Sequence, residues 1–148
     1  MIISNSFTIA QVNKPDLLLQ YYHFRWEQLR RPLGMAMDTV KDPLEDQSKH
    51  YATLYQGTII AIGRLHQNNE DEYQIRYMAV DGQYQRHGLG SQLIAFIEKK
   101  AASMGGNHIV LNARSHAVSF YKKNSYKELG DPHMQIGIQH QKMIKNIS

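Results

Sequence analysis

The sequence contains no cysteine, which at once excludes a disulfide framework, a thiolate metal site and a cysteine nucleophile. No apolar run approaches the roughly 18 residues of a membrane span. The opening MIISNSFTIA lacks the basic segment and apolar core of an export signal, so a cytoplasmic protein with no membrane contact is expected. Repeats, low-complexity tracts and linkers are missing too, and the 148 residues are expected to form one domain spanning 1–148. Hydrophobic residues at 42% and charged residues at 20% suit a globular chain rather than a disordered one. Acidic residues are in deficit: 13 Asp and Glu face 17 Lys and Arg, for a net charge of +4. That excess favours an anionic ligand, whether nucleic acid, a membrane surface or a phosphorylated cofactor, and does not choose among them.

Hydrophobic periodicity supplies the elements. Phe7 to Val12 alternates as a half-buried strand. Pro15 and Asp16 suit a first helical turn, and Leu18, Tyr22, Trp26 and Leu29 then mark one face of a helix running to Arg31. Pro32 and Gly34 stop it, and residues 34–49 read as a loop with at most a short helix. Tyr51–Tyr55 and Thr58–Leu65 form a hairpin around Gln56-Gly57. Gln74–Val80 is the most strand-like segment, and strict alternation along it puts Gln74, Arg76, Met78 and Val80 on one face. Gly88 to Met104 is an amphipathic helix closed by Gly105-Gly106. A strand at His108–Asn112, a short helix at Ser115–Lys123 with Ser115 as N-cap, and a final strand over Met134–Met143 complete the chain. The order β-α-β-β-β-α-β-α-β specifies an α/β fold, a mixed sheet with helices on its faces.

The strongest local feature is Gln85-Arg86-His87-Gly88-Leu89-Gly90-Ser91, lying between a strand and an amphipathic helix. A helix start presents unpaired N–H groups and a partial positive charge, and glycine lets an anion approach the backbone. The P-loop GK[ST] is absent, and the third glycine of a dinucleotide fold is missing. Gln-x-x-Gly-x-Gly after Met78-Ala79-Val80 resembles the acetyl-CoA signature of the GCN5-related N-acetyltransferases (GNATs). Asn112-Ala113-Arg114 followed by Ala117-Val118-x-Phe120-Tyr121-Lys122-Lys123-x-x-Tyr126 resembles that family's second block. The element order matches as well, so the resemblance covers nearly the whole chain. Tyr21 to Leu33 is similar to a narrower subgroup, in some of whose members this domain is fused to a thioesterase-like one; this chain is expected to stop short of such a partner. Gly137-Ile138-x-His140-x-x-Met143 is similar to a tail in small members.

The resemblance implies a GNAT fold, with a central, mostly antiparallel mixed sheet and helices on both faces. It also implies acetyl-CoA as acyl donor, no metal, and transfer to an amine by direct attack in a ternary complex. Met78, Ala79 and Val80 would meet the pantetheine arm. Arg86, His87, Gly88, Leu89, Gly90 and Ser91, with Gln85 beside them, would hold the pyrophosphate largely through main-chain N–H groups. Asn112 and Ser119 would add contacts to the cofactor, and Tyr121 would protonate the departing thiolate. A tyrosine is protonated at neutral pH, as a proton donor must be.

Where family members carry a strand glutamate as base, this sequence has Gln74, which cannot take a proton. Glu72, His66, His116, His140 or an ordered water remain candidates. Arg25, Trp26, Arg76 and His140 are candidates to face the acceptor, a small-molecule or peptide amine, and the arginines among them would favour an anionic one. A non-catalytic acyl-CoA-sensing module is the alternative function. Nucleic acid is not expected as a partner, because the basic residues are scattered rather than set in a patch with aromatics. The assembly expected is a monomer or homodimer.

Overall fold

The computed structural model describes residues 7–148. Its described elements follow in the order β1 (Phe7–Gln11), α1 (Pro15–Leu29), β2 (Lys49–Tyr55), β3 (Thr58–Gln67), β4 (Glu72–Val80), α2 (Leu89–Ser103), β5 (His108–Arg114), α3 (Val118–Lys123), β6 (Lys127–Glu128), β7 (His133–Gln135) and β8 (Ile138–Asn146). The strands form one mixed sheet in the order β1-β2-β3-β4-β5-β8-β6, with β7 also on β8. β4 and β5 pair in parallel, while β1–β2, β2–β3, β5–β8, β6–β8 and β7–β8 are antiparallel. This is the α/β class expected. Among the described residues no helix is long and apolar enough to cross a membrane. Contacts divide the chain into two compact units: residues through His66 with 77–97, and residues 67–76 with 98–148.

In the first unit, α1 packs on β1–β3 through Val12, Tyr21, Ala52, Ile59 and Ile62, with Leu17, Leu18, Tyr22 and Ala79 around them. The β2–β3 hairpin turns through Gln56 and Gly57, both left-handed at φ 51° and 80°, as a two-residue turn of primed type requires. On the sheet face away from α1, a Cβ at Gly63 would meet Met78 Sδ at 2.7 Å and Ile97 Cδ1 at 2.8 Å. Only glycine lets α2 come that close. The two helices therefore lie on opposite faces of this part of the sheet.

The buried stripe of α1 differs from the one the sequence marks. Tyr21 and Arg25 are its fully buried members, and Leu18, Tyr22 and Trp26 are half-buried. An arginine can sit there because the loop that follows α1 folds back with carboxylates. That loop is three 3-10 turns, Arg31–Leu33, Met37–Val40 and Glu45–Gln47. Arg25 Nη1 donates to Glu45 Oε1 at 3.0 Å and to the Val40 carbonyl at 2.6 Å. Arg64, also fully buried on β3, donates to Glu45 Oε2 at 2.6 Å and Asp42 Oδ1 at 2.7 Å. Burying a charge is costly unless it is paired and hydrogen-bonded, and here two guanidiniums share two carboxylates.

His50 belongs to the same cluster. Its Nε2 donates to the Glu45 carbonyl at 3.1 Å, which in the neutral ring leaves Nδ1 to accept from the Tyr21 hydroxyl at 3.1 Å. Burial, ahead of the nearby arginines, holds its pKa below the ordinary 6.5. As pH falls, the unfolded chain takes up that proton first. The contribution of His50 to stability is therefore complete above about pH 6.5 and declines below it, toward the lower folded value. Urea unfolding at pH 7.5 and 5.5 is expected to show a smaller loss for His50→Gln than for the parent chain; identical losses would refute this. His140, lowered in the same direction, keeps some of the slope in both.

The second unit is built on the β5–β8 ladder, which runs from His108↔Asn146 to Arg114↔His140. Tyr126 donates to Glu98 at 2.8 Å, and Lys145 pairs with the same carboxylate at 2.9 Å. Two local expectations are corrected here. Ser115 is not a helix cap: it opens a 3-10 turn (Ser115–Ala117), and its hydroxyl donates to the Gln139 carbonyl at 3.1 Å. The final strand is two strands, β7 and β8, joined by left-handed Ile136 and Gly137.

Candidate active site

The segment singled out in the sequence is the turn that leads into α2. Asp81 begins it, its amide donating to the Ile60 carbonyl at 2.8 Å and its carboxylate accepting from Gln83 N at 2.9 Å. Arg86 and Gly88 are both left-handed, at φ 70° and 77°. Successive backbone N–H groups in an αR-αL or turn conformation make an anion-binding nest elsewhere, which is the chemistry such a turn offers. The helix begins at Leu89, and Gln92 N closes its first bond on the Gly88 carbonyl at 3.0 Å. The N–H groups ahead of Gln92 have no carbonyl within the helix to meet. Gly88 is exposed, and a Cβ there would meet nothing within 4 Å, so the backbone is open to approach at this position. His87 is exposed as well, whereas Leu89 and Gly90 are buried and Ser91 is half-buried. Gln85 does something the sequence did not show: its amide donates to the Val80 carbonyl at 3.1 Å and ties the loop to the strand end.

β4 carries the main departure from a regular pleat. Tyr77 is left-handed at φ 58°, a strained conformation for a bulky residue. The single face expected for Gln74, Arg76, Met78 and Val80 does not run through this point. Met78 lies against Gly63 on the side of Ile97, while Ala79 packs with Tyr21 on the other. The Tyr77 ring is buried between guanidiniums, with Arg25 Cζ at 3.9 Å and Arg64 Cζ at 5.0 Å from its centre. Cation–π attraction of this kind is worth about 0.5–2 kcal/mol per pair, enough to offset much of the strain. Beyond Tyr77 come the half-buried Met78, Ala79 and Val80.

Two acceptor candidates change character in this setting. Arg25 is fully buried and spent on Glu45, Val40 and Tyr21, so its guanidinium is part of the interior rather than of a substrate surface. Trp26 donates through Nε1 to the Met35 carbonyl at 2.9 Å and pins the loop after α1.

Apart from His66, at the end of β3 in the first unit, the remaining candidates lie in the second unit. Tyr121 is buried on α3, its ring edge-on to Phe120 at 5.0 Å and Tyr126 at 5.8 Å. No described residue hydrogen-bonds its hydroxyl. Burial raises its pKa well above the ordinary phenol value, which keeps the proton on. Ser119 is exposed on the same helix. Asn112 lines a polar cleft of about 170 Å³ with Asn68, Glu72, Gln74 and Lys142. Gln74 accepts from Asn68 Nδ2 at 3.0 Å. Glu72, bonded by Asn68 at 2.7 Å and facing His108 at 3.0 Å, has its carboxyl held below the usual range, chiefly by the Asn68 amide. His140 is buried on β8 and Arg76 half-buried on β4. Nowhere among the described residues do three or more His, Asp or Glu gather as metal ligands.

Sheet, helices and a glycine-bearing turn at a helix start are the features of a CoA-dependent acyltransferase. The chain belongs to the GNAT acetyltransferase family: the family's acetyltransferase (GNAT) domain matches residues 26–147. Members of that family use acetyl-CoA as acyl donor. Relatives include the uncharacterised N-acetyltransferases YitI and YjcF of Bacillus subtilis (strain 168), each 31% identical. The first match covers 75% of this chain and 78% of the relative, the second 88% and 94%. The fold is also that of an aminoglycoside 6'-N-acetyltransferase solved with coenzyme A, with a TM-score of 0.79 at 17% identity over 95% of this chain and 97% of that one.

Proposed function

We propose that this protein moves an acetyl group from acetyl-CoA to the amine of an acceptor by direct attack in a ternary complex. The observation that supports the reading is the turn into α2, where Arg86 and Gly88 are left-handed and the space beside Gly88 is open. Its N–H groups fit the pyrophosphate, with Arg86 to Ser91 supplying them. Met78 to Val80 flank the pantetheine arm beyond the strained Tyr77, and Asn112 and Ser119 are polar contacts that the family resemblance assigns to the cofactor. Bound acetyl-CoA supplies the reactive thioester. Tyr121 supplies the proton that the departing sulfur takes, and its protonated, unpartnered hydroxyl suits that role.

Gly88→Asp tests the cofactor site. The position has room for a side chain, and Asp tolerates a left-handed backbone and caps helices well, so the variant is expected to fold. Its carboxylate would occupy the N–H groups and repel the pyrophosphate. A charge-assisted hydrogen bond is worth about 1.5–3 kcal/mol, so CoA affinity by calorimetry should fall about 10–100-fold, and less in the neutral Gly88→Asn. Unchanged affinity in a folded Gly88→Asp protein removes the site. Thiol release from acetyl-CoA across a panel of amines then tests the transfer itself.

A further inference from the structure

We propose that His140 Nε2 is the proton acceptor for the incoming amine. This rests on the acetyltransferase reading above and fills the place that Gln74 leaves without a base. The ring's hydrogen-bond geometry carries it. His140 Nδ1 lies 2.8 Å from the Ile138 carbonyl. A carbonyl only accepts, so Nδ1 bears the hydrogen and Nε2 keeps its lone pair. No described residue bonds Nε2.

The ring is also held in place. In the strand ladders His140 stands opposite Arg114 on β5 and opposite His133 on β7, so the three share one face of the sheet. The His133 ring stacks on it, with centres 6.0 Å apart and planes at 27°. Two positions along, Asn112 stands opposite Lys142 on that same face. Burial first, and then the neighbouring Arg114, His133 and Arg76, lower the pKa of His140 below the ordinary imidazole value, against the bond to Ile138. Positive surroundings also favour loss of a proton from an arriving ammonium group.

Two of the rival bases are otherwise engaged. Both oxygens of Glu72 already have partners, Oε2 accepting from Asn68 Nδ2 and Oε1 facing His108 Nε2. His66 Nδ1 receives the Arg64 guanidinium at 3.2 Å. His116 is exposed on the 3-10 turn after β5.

The step balances as follows. An acceptor R–NH3+ gives one proton to Nε2, and its freed lone pair attacks the thioester carbon. As the new C–N bond forms and the C–S bond breaks, the sulfur takes the Tyr121 proton. The second proton lost from nitrogen restores Tyr121, and His140 returns its own to water.

His140→Asn is the main variant, because its amide can keep the bond to Ile138 while offering no basic nitrogen; His140→Gln is the second. The probes are methylamine, largely protonated near neutrality, and hydroxylamine, largely neutral, with thiol release from acetyl-CoA as readout. For the parent protein, kcat/KM with methylamine should rise through a single ionisation below that of ordinary histidine. Both variants should lose that ionisation and about 10²–10⁴-fold in rate with methylamine, but little with hydroxylamine, which needs no prior deprotonation. Equal losses with both amines, or an unchanged pH profile, overturn the proposal. Nitrogen NMR of the imidazole decides without turnover: hydrogen on Nδ1 supports it, and hydrogen on Nε2 overturns it. Failure to bind CoA by calorimetry would instead sink the acetyltransferase reading, and this step with it.

Discussion

Glu45→Ala is expected to cost about 3–5 kcal/mol of folding stability, the range for removing one partner of a buried ion pair. Glu45 is the shared acceptor of the interior: one carboxylate oxygen meets Arg25, the other meets Arg64. Neither guanidinium can turn to water, since both side chains are fully buried. Without Glu45, Arg64 still has Asp42, but among the described residues Arg25 keeps only the Val40 carbonyl and the Tyr21 hydroxyl as hydrogen-bond partners. The exposed neighbour Asp46 is the control, and Asp46→Ala should stay within about 0.5 kcal/mol. Arg25→Met in the Glu45→Ala background should recover part of the loss, because it removes the stranded charge. Urea unfolding reads all three. A loss below about 1 kcal/mol for Glu45→Ala, the worth of a surface pair, would show that the cluster is not what holds the loop after α1. Since Arg25 and Arg64 also flank Tyr77, a folded Glu45→Ala protein should bind CoA more weakly than the parent.

This cluster marks where sequence reading stops. Arg25 sits within a helical stripe of apolar residues, and periodicity alone sends an arginine to the solvent side or to a ligand. Its partner lies 20 positions away in a loop with no periodicity, so nothing local announces the pair. Tyr77 is hidden for a related reason. Left-handed backbone is legible when glycine supplies it, as at Gly57 and Gly88, but here arginines stacked on the ring sustain it. The parts that were legible rest on local chemistry: the Gln56-Gly57 turn, the amphipathic α2, and the glycine-bearing turn that leads into it. His140 falls between these cases. Its strand was readable, whereas the bond to Ile138 that sets its tautomer depends on how the strand begins after the turn at Gly137.

Tyr121→Phe should lower kcat by about 10²–10⁴-fold while leaving the fold and CoA affinity nearly unchanged, the usual scale for a general acid. The structure makes this substitution unusually clean. The ring is packed between Phe120 and Tyr126, and Phe preserves those contacts. No described residue hydrogen-bonds the hydroxyl, so removing it strands no partner in the interior. Stability by urea unfolding should therefore move by less than about 1 kcal/mol, as for other volume-conserving swaps. The hydroxyl meets developing negative charge on sulfur mainly in the transition state, so the loss should appear in kcat rather than in binding. Burial sharpens the expectation: a phenol whose pKa is raised holds its proton at every pH at which the enzyme is assayed, so the activity it supports should not fall off at mildly alkaline pH. A second pH-dependent group would then be seen alone, on the acid side. A Tyr121→Phe enzyme that kept more than about half the parent rate, with chemistry shown to limit turnover, would remove the tyrosine from the mechanism and leave water to protonate the thiolate.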